Sequence, residues 1–429
     1  MLKNEILIII LQNIYFLSLF VFPKIIPNKK INFSFFDQIS INIIIILNIL
    51  LFFSFFSISY YILFISTLLF SVTFLFLNFE YYKNHLLSIN FIIFFSLSLV
   101  LSLDIAYELI FDWDTKSFWY QKTLNFYQNQ SINNLSNLPV ADWPHLSSFV
   151  WSFFWKFPFD SYEYLGRLFF SFFYLVSIFS ISEILNKNLS VRTSLSIILV
   201  LLTYKYDFFS GEADIFIFSV LIFITKIFYF LFNEKKMEIK LFLLILILFS
   251  VNLLLWIKLE GIVYASIFIF ISLFFKNITL KHKLFMVNFF LIMVIAKFYL
   301  INYLGLNINS KWFEFNQTLN FDIEVLSNKI LILLKYFLYY SFNLPIYLLL
   351  FVSLIIFYSK AKILTDYERF LFYSIFLNIL FLITAFLFKT DDIEWQIKSS
   401  LKMFMLNSSG MYISMIILSL NRINVLIKK

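Results

Sequence analysis

The feature that most constrains the fold is a recurring series of long apolar segments. Residues 40–79 contain no charged side chain, and the runs Leu241–Trp256 and Ile330–Tyr358 are almost as apolar. About 20 apolar residues are needed to cross the hydrocarbon core of a bilayer as a helix, whereas an outer-membrane barrel would show alternating segments of about ten residues. With 62% hydrophobic residues and a mean hydropathy of +0.89, the chain is predicted to be an all-α polytopic membrane protein.

The hydrophobic pattern predicts a single transmembrane domain over residues 1–429 with about thirteen transmembrane helices. The first apolar stretch lacks a small-residue cleavage site, so it is interpreted as a retained span. Two spans, near 191 and 262, are short and are expected to tilt or to be partly re-entrant. The predicted spans lie near residues 6–22, 40–56, 59–79, 87–110, 162–185, 191–204, 214–232, 240–256, 262–275, 284–303, 330–357, 370–388 and 403–420.

The distribution of charge predicts the orientation. Lys and Arg cluster in the short loops of one side, which is cytoplasmic by the positive-inside rule. The net charge of +8 follows from this topology and does not indicate a nucleic-acid surface. All eight tryptophans and all five glycines fall on or near the opposite, acidic face, which we therefore expect to be external and functional. The absence of cysteine excludes disulfides and thiol catalysis.

The longest hydrophilic stretch, residues 111–160, is predicted to be an external loop. Apolar residues at 111, 118, 119, 126 and 127 suit an amphipathic helix on the membrane surface, with Asp114 and Lys122 near its polar side. The apolar run after Pro144 is expected to lie in the membrane interface. A second external loop is predicted over 304–329.

Several short motifs on the external face share one resemblance. Asp114 and Trp119 lie in the first motif, and Asp142, Trp143 and Pro144 form the second. Together they resemble the first external loop of bacterial membrane glycosyltransferases of the GT-C superfamily, distant relatives of the protein O-mannosyltransferases and the lipid A aminoarabinose transferase. The resemblance implies a GT-C-like helix bundle in the bacterial inner membrane, with a polyprenyl-phosphate-linked sugar as donor and an active site on the periplasmic face.

Three later segments extend the resemblance over about 110–410. GEAD at 211–214 and KLEG at 258–261 are similar to family motifs, and EWQIKSSL at 394–401 is similar to a stretch that precedes the last helix. Gln396 replaces the usual histidine of that stretch. The family's arginine is also missing, and Lys402 is the nearest substitute.

Sugar transfer from a lipid phosphate requires a base for the acceptor hydroxyl and cations for the departing phosphate. Asp114, or Asp112 two residues earlier, stands at the outer end of a span, where partial burial raises a carboxyl pKa toward a useful value. One carboxylate is sufficient for inversion at the anomeric carbon, whereas retention would need a second as nucleophile. Both residues also suit helix capping.

Further candidates surround these carboxylates. Lys122, Arg167, Lys258 and Lys402 are predicted to bind the donor phosphate, and Arg167, just inside a span, should have a partner. Trp119, Trp143, His145, Asp214, Glu260 and Trp395 are predicted to bind the sugar or the acceptor. For each of these, membrane anchoring or an ordinary structural role is the competing interpretation.

A divalent metal is a further hypothesis, because the D-x-D spacing of Asp112 and Asp114 binds metal in relatives such as the oligosaccharyltransferases. Two carboxylates are too few ligands by themselves. Asp391 and Asp392 are additional candidates, although a solvated loop is the simpler interpretation.

Three other functions compete with sugar transfer: a transporter of lipid-linked sugars or polysaccharide, an O-antigen-type polymerase or ligase, and a non-catalytic scaffold. Carriers usually have Gly- and Pro-broken helices and a polar pathway near the membrane midplane. Few such features are visible in this chain. Polymerases and ligases usually have their large loop late in the chain, whereas here it comes early.

Overall fold

The computed structural model describes residues 3–21, 33–56, 58–109, 111–129, 132, 134–185, 187–205, 209–211, 213–306, 323–359, 364–387 and 393–427. Within these ranges the regular structure is entirely helical. The helices are α1 Lys3–Phe20, α2 Phe35–Ser54, α3 Tyr60–Leu86, α4 Ile89–Tyr107, α5 Tyr120–Asn129, α6 Leu146–Lys156, α7 Tyr164–Ser182, α8 Leu189–Thr203, α9 Asp214–Asn233, α10 Met237–Ile257, α11 Gly261–Ser272, α12 Leu280–Tyr303, α13 Ile323–Asn343, α14 Pro345–Tyr358, α15 Asp366–Leu387, α16 Ile393–Gln396, α17 Lys402–Ser408 and α18 Tyr412–Ile427. π-Helical turns at Thr115–Trp119 and Ile397–Leu401 lead into α5 and α17.

Nine helical segments in the described part of the chain are long and apolar enough to cross a membrane, or ten if α13 and α14 form one bent span. The nine are α2, α3, α4, α7, α9, α10, α12, α15 and the continuous segment Glu394–Ile423. The helices α1, α8 and α11 are apolar but shorter. The prediction of an all-α integral membrane protein is therefore confirmed, whereas the number of thirteen spans and the GT-C-like arrangement stay predictions.

The predicted span at 330–357 is wrong as a single straight helix. α13 and α14 meet at an angle of 97°, and Leu344 between them has extended backbone angles. Pro345, the first residue of α14, causes this break, because a proline disfavours the helical conformation of the residue before it.

The centre of the bundle is α7, whose 19 residues are all buried. It packs against α2, α4, α6, α8 and α9, which is the arrangement expected for a helix that is apolar on every side. By contrast, few side chains of α3 and α12 are buried. These two helices therefore form part of the surface that faces lipid.

We call the end of the bundle where α9 begins and α10 ends the aromatic end, and the opposite end the basic end. At the aromatic end, Leu146–Trp155 of α6 are all buried, so this helix is enclosed by protein, whereas its predicted position at the membrane interface stays a prediction. α6 packs against α2, α5, α7 and α10. The early loop, residues 111–160, is therefore partly packed into the bundle through α6, and α5 packs on α6.

Candidate functional site

A compact cluster of charges lies at the aromatic end, where α9, α10, α11 and α17 meet. Lys258 follows α10, and its Nζ lies 2.6 Å from Asp214 Oδ1 and 3.6 Å from Glu260 Oε1. Asn407 Nδ2 also donates to Asp214 Oδ1. The structure therefore brings together three sequence-predicted residues from two motifs, and adds an asparagine from a third segment.

Local backbone geometry explains this convergence. Asp214 is the first residue of α9, where the positive end of the helix dipole stabilises a carboxylate. A Cβ on Gly261 would lie 1.8 Å from the backbone oxygen of Leu254. Only glycine therefore lets α11 start so close to α10, and this turn keeps Lys258 and Glu260 beside Asp214.

Asp114 belongs to the same electrostatic environment. Burial in the surrounding protein raises the pKa of Asp114, Lys258 lowers it, and Asp214 and Asp112 raise it further, so that the net direction is upward. The Asp114 carboxylate is nevertheless solvent-accessible. Burial similarly raises the pKa of Glu260. Asp114 is thus an accessible carboxylate with raised proton affinity near a lysine ammonium.

Asp112 connects the early loop to the start of α9. Ser210 Oγ donates to Asp112 Oδ2 at 2.9 Å. Ser210 precedes Gly211 of the GEAD motif, which has a positive φ of 108°. Asp112 therefore contributes a loop contact that holds Asp114 near the cluster.

The predicted place of Lys122 on the polar side of an amphipathic helix is wrong. Its side chain is 1% exposed, and Nζ donates to the backbone oxygens of Val140 and Trp143 at 2.7 and 2.9 Å. Burial lowers the pKa of Lys122 to about 7. These contacts indicate that Lys122 stabilises the loop, and they leave its ammonium enclosed by carbonyls instead of facing a phosphate.

Arg167 has the partner that its buried position required. Its guanidinium makes a two-point contact with Glu163, with Nε and Nη2 at 3.0 and 3.2 Å from the carboxylate oxygens. Nη1 donates to the backbone oxygen of Phe209 at 3.0 Å, and the group lies over the ring of Phe111. Arg167 thus connects α7 to two segments near the charged cluster, one at Phe111 before α5 and one at Phe209 before α9.

His145 is also enclosed. Its Nε2 lies 2.8 Å from Ser54 Oγ, and the rings of Phe55, Phe126 and Trp256 surround it. Burial lowers its pKa to about 3, helped by the charges of two lysines. A fully enclosed neutral imidazole is a packing element, so the predicted role in binding an acceptor does not fit its position.

The three tryptophans proposed for sugar stacking differ in exposure. Trp119 is 2% exposed and packs against Trp143 with ring centroids 5.9 Å apart, so its faces are not available to a ligand. Trp143 is half-buried. Trp395 is 60% exposed and adjoins the ion pair of Lys398 and Glu394 at 2.9 Å.

Lys402 begins α17 and is half-buried. Its ammonium lies within electrostatic range of the Tyr340 hydroxyl in α13. Asp391 and Asp392 lie outside the described residues, as does most of the second predicted loop. Among the residues that are described, no three His, Asp or Glu side chains are close enough to hold a metal ion together.

The sequence analysis did not single out three buried polar residues, Asn407, Tyr264 and Asn378. Each is a polar residue inside an apolar helix, and polar side chains within a span are often functional. That signal was present, but it does not indicate which helices meet. No protein-family model, no curated protein and no solved structure matches the chain at a significant level.

Proposed function

We propose that the protein is a membrane glycosyltransferase that moves a sugar from a polyprenyl-phosphate-linked donor to an acceptor hydroxyl at the aromatic end. The observation that carries the proposal is the exposed Asp114 carboxylate, which lies within electrostatic range of Lys258 and Asp214, two members of the ion cluster that also contains Glu260. A base and a cation are the two groups that this transfer needs. The proposed reaction takes place on the periplasmic side of the bacterial inner membrane.

In this mechanism Asp114 accepts the proton of the acceptor hydroxyl, while the oxygen of that hydroxyl forms a bond to the anomeric carbon of the sugar. The bond between that carbon and the phosphate oxygen breaks, and the electron pair leaves with the polyprenyl phosphate. Lys258 stabilises the negative charge that develops there. A single carboxylate base inverts the anomeric centre. The raised pKa of Asp114 supports a role as base because it strengthens the affinity of Asp114 for the transferred proton.

The carboxylates of Asp214 and Glu260 position Lys258 in the proposed site. An ammonium held by two carboxylates has a restricted direction, which favours a preorganised charge. Arg167 and Lys122 support the loop that carries Asp114. They are positioning residues in this proposal, and the donor phosphate is assigned to Lys258.

Transport of a lipid-linked sugar is the second candidate. A specific observation favours it: Asn378 lies in the middle of α15 and is bonded to Tyr412 of α18, so polar groups reach well below the membrane surface. The 97° bend between α13 and α14 is also a feature of carriers. A transporter would not need Asp114 as a base.

The decisive experiment replaces Asp114 by Asn in the full-length protein. Removing a general base usually costs about 10²- to 10⁴-fold in rate. We expect a loss of that size in the release of polyprenyl phosphate from polyprenyl-phosphate hexose, measured in membranes that contain the natural acceptors. The matched control is Asp366→Asn, a half-exposed carboxylate at the basic end paired with Arg369, which should leave the rate unchanged.

A wild-type rate in Asp114→Asn would refute the proposed mechanism. If both proteins also move the lipid-linked sugar across proteoliposomes without product formation, the transporter is the correct function.

A further inference from the structure

A group of uncharged polar side chains extends inward from the Lys258 cluster. We call it the inner polar cluster, and it combines side chains from α11, α14, α15, α17 and α18. Each of them is fully buried. Its members are Tyr264, Tyr347, Asn378, Asn407, Ser408 and Tyr412.

Hydrogen bonds connect the inner members of the cluster with one another and its outer member, Asn407, with Asp214. Asn407 donates to Asp214 at the outer side, and Asn378 Nδ2 donates to Tyr412 Oη at the inner side. Tyr412 Oη donates to Ser408 Oγ at 3.2 Å. Tyr264 lies within electrostatic range of both Tyr412 and Asp214, so it joins the two sides.

Three atoms of this cluster have no hydrogen-bond partner among the described residues: Tyr264 Oη, Asn378 Oδ1 and Asn407 Oδ1. A buried polar atom without a partner costs about 1–3 kcal/mol. Buried polar groups are normally satisfied by protein, water or ligand, so these three atoms in one cluster are available to hydrogen-bond a bound molecule. The amide orientations support this, because both amide nitrogens are already used as donors.

The free atoms define what the ligand must supply. The two amide oxygens only accept hydrogen bonds, and the tyrosine hydroxyl can donate or accept. The ligand therefore needs at least two donors. None of the six members of the inner polar cluster is charged at neutral pH, and a charged ligand buried there would be unpaired at high cost.

We propose that the inner polar cluster binds the sugar of the lipid-linked donor, and that this sugar is uncharged and rich in hydroxyl groups. The inference rests on the proposed function. It places the sugar ring next to Tyr264 and the two asparagines, with the phosphate at Lys258. Residues from five helices thus determine which sugar is accepted.

The test uses the detergent-purified full chain with two probes, polyprenyl phosphate and polyprenyl-phosphate hexose carrying a neutral sugar. The measurement is the apparent affinity of each lipid from ligand-induced thermal stabilisation. We expect the wild-type protein to bind the hexose lipid more tightly than the bare phosphate. Tyr264→Phe should reduce that preference by about tenfold, since one buried hydrogen bond in a ligand site is worth about that factor, and should leave the affinity for polyprenyl phosphate unchanged.

Tyr264→Phe is informative because its hydroxyl has no protein partner. Its ligand-free melting temperature should stay the same or rise. Tyr174→Phe is the matched control, since Tyr174 is also buried, but its hydroxyl bonds to Thr203 Oγ1 at 2.7 Å. That variant should melt at a lower temperature and keep the wild-type preference for the hexose lipid.

Two results would overturn the inference alone. In the first, both lipids bind the wild-type protein equally, which leaves the phosphate site and the proposed function intact. In the second, Tyr264→Phe melts lower without any change in sugar preference, which would assign the free atoms to a structural water. Absence of binding by either lipid would overturn the proposed function as well.

Discussion

Single residues near the candidate site show how burial changes the role of an ionisable side chain. Lys122 and His145 both look like catalytic groups in an aromatic external loop. In the structure each is enclosed, and burial lowers the pKa of Lys122 to about 7 and that of His145 to about 3. Asp114 stays accessible. Of these three residues, only Asp114 is therefore accessible enough to contact a substrate, whereas Lys122 and His145 stabilise the protein around it.

His145 leads to a prediction about acid stability. An unfolded histidine takes up a proton near pH 6.5, whereas folded His145 stays neutral down to about pH 3. Unfolding thus binds a proton between these values, and the free energy of unfolding falls as the pH decreases through this window. His145→Gln, which keeps a donor near Ser54, should lose about 2 kcal/mol less than the wild-type protein between pH 6.5 and 4.5.

Equilibrium unfolding in mixed detergent micelles measures this difference. Tyr174→Phe, which removes a buried hydroxyl bonded to Thr203 and no group with an ordinary pKa between pH 4.5 and 6.5, serves as the control and should follow the wild-type pH dependence. Parallel profiles for His145→Gln and the wild-type protein would contradict the assignment of a neutral buried imidazole.

At the level of helices, two glycines, Gly166 and Gly211, allow Trp151 of α6 to pack closely against α7 and the segment before α9. The indole of Trp151 in α6 lies between Gly166 of α7 and Gly211 before α9. A Cβ at Gly166 would lie 2.2 Å from the Trp151 backbone oxygen, and one at Gly211 would lie 2.4 Å from the indole ring. Trp151 therefore fixes how closely α6 approaches α7 and the segment before α9, to which the loop that contains Asp114 is bonded.

The substitution Gly211→Ala tests this packing. The backbone has φ +108°, and the added methyl group would overlap Trp151 and Thr115. We expect a loss of roughly 3 kcal/mol or more, from backbone strain and overpacking together, with a parallel loss of activity. Gly305→Ala is the control, because Gly305 also has a positive φ but nothing lies within 4 Å of its Cβ position. It should cost only about 1–2 kcal/mol, and equal effects in the two variants would contradict this account.

Across the whole molecule, ion pairs and hydrogen bonds of charged side chains connect helices at both ends of the bundle. Asp214 is bonded to Asn407, 193 positions later in the chain, at the aromatic end. At the basic end Lys226 Nζ lies 3.3 Å from Asp37 Oδ1, and Arg422 pairs with Glu368. Charged side chains therefore hold helices that are distant in sequence together at both ends of the bundle.

The orientation of the bundle can be measured directly because the chain contains no cysteine. Lys116 and Lys236 are both exposed, the first in the early loop and the second just before α10. We expect Lys116→Cys to react with a membrane-impermeant maleimide on intact spheroplasts, and Lys236→Cys to react only after permeabilisation. The reverse pattern would place the aromatic end in the cytoplasm and exclude the proposed periplasmic site.

Local composition along the chain was sufficient to predict the class of fold. Apolar runs, loop charges and the near absence of glycine depend only on local composition, because each helix must satisfy its own backbone hydrogen bonds in lipid. The same local logic predicted that the pairs Lys258 with Glu260 and Asp112 with Asp114 lie at helix ends, and that Arg167 needs a partner.

The contacts among these residues could not be predicted in the same way, because they depend on how the helices pack. Lys122 and Asp114 stand eight positions apart in one motif, yet the packing of α5 on α6 buries the first and leaves the second accessible. Asn407, Tyr264 and Asn378 are scattered over three helices, and nothing in their sequence neighbours predicts a shared cluster. Packing between helices depends on the shapes of side chains far apart in the chain, and such contacts leave no periodic signal in the sequence.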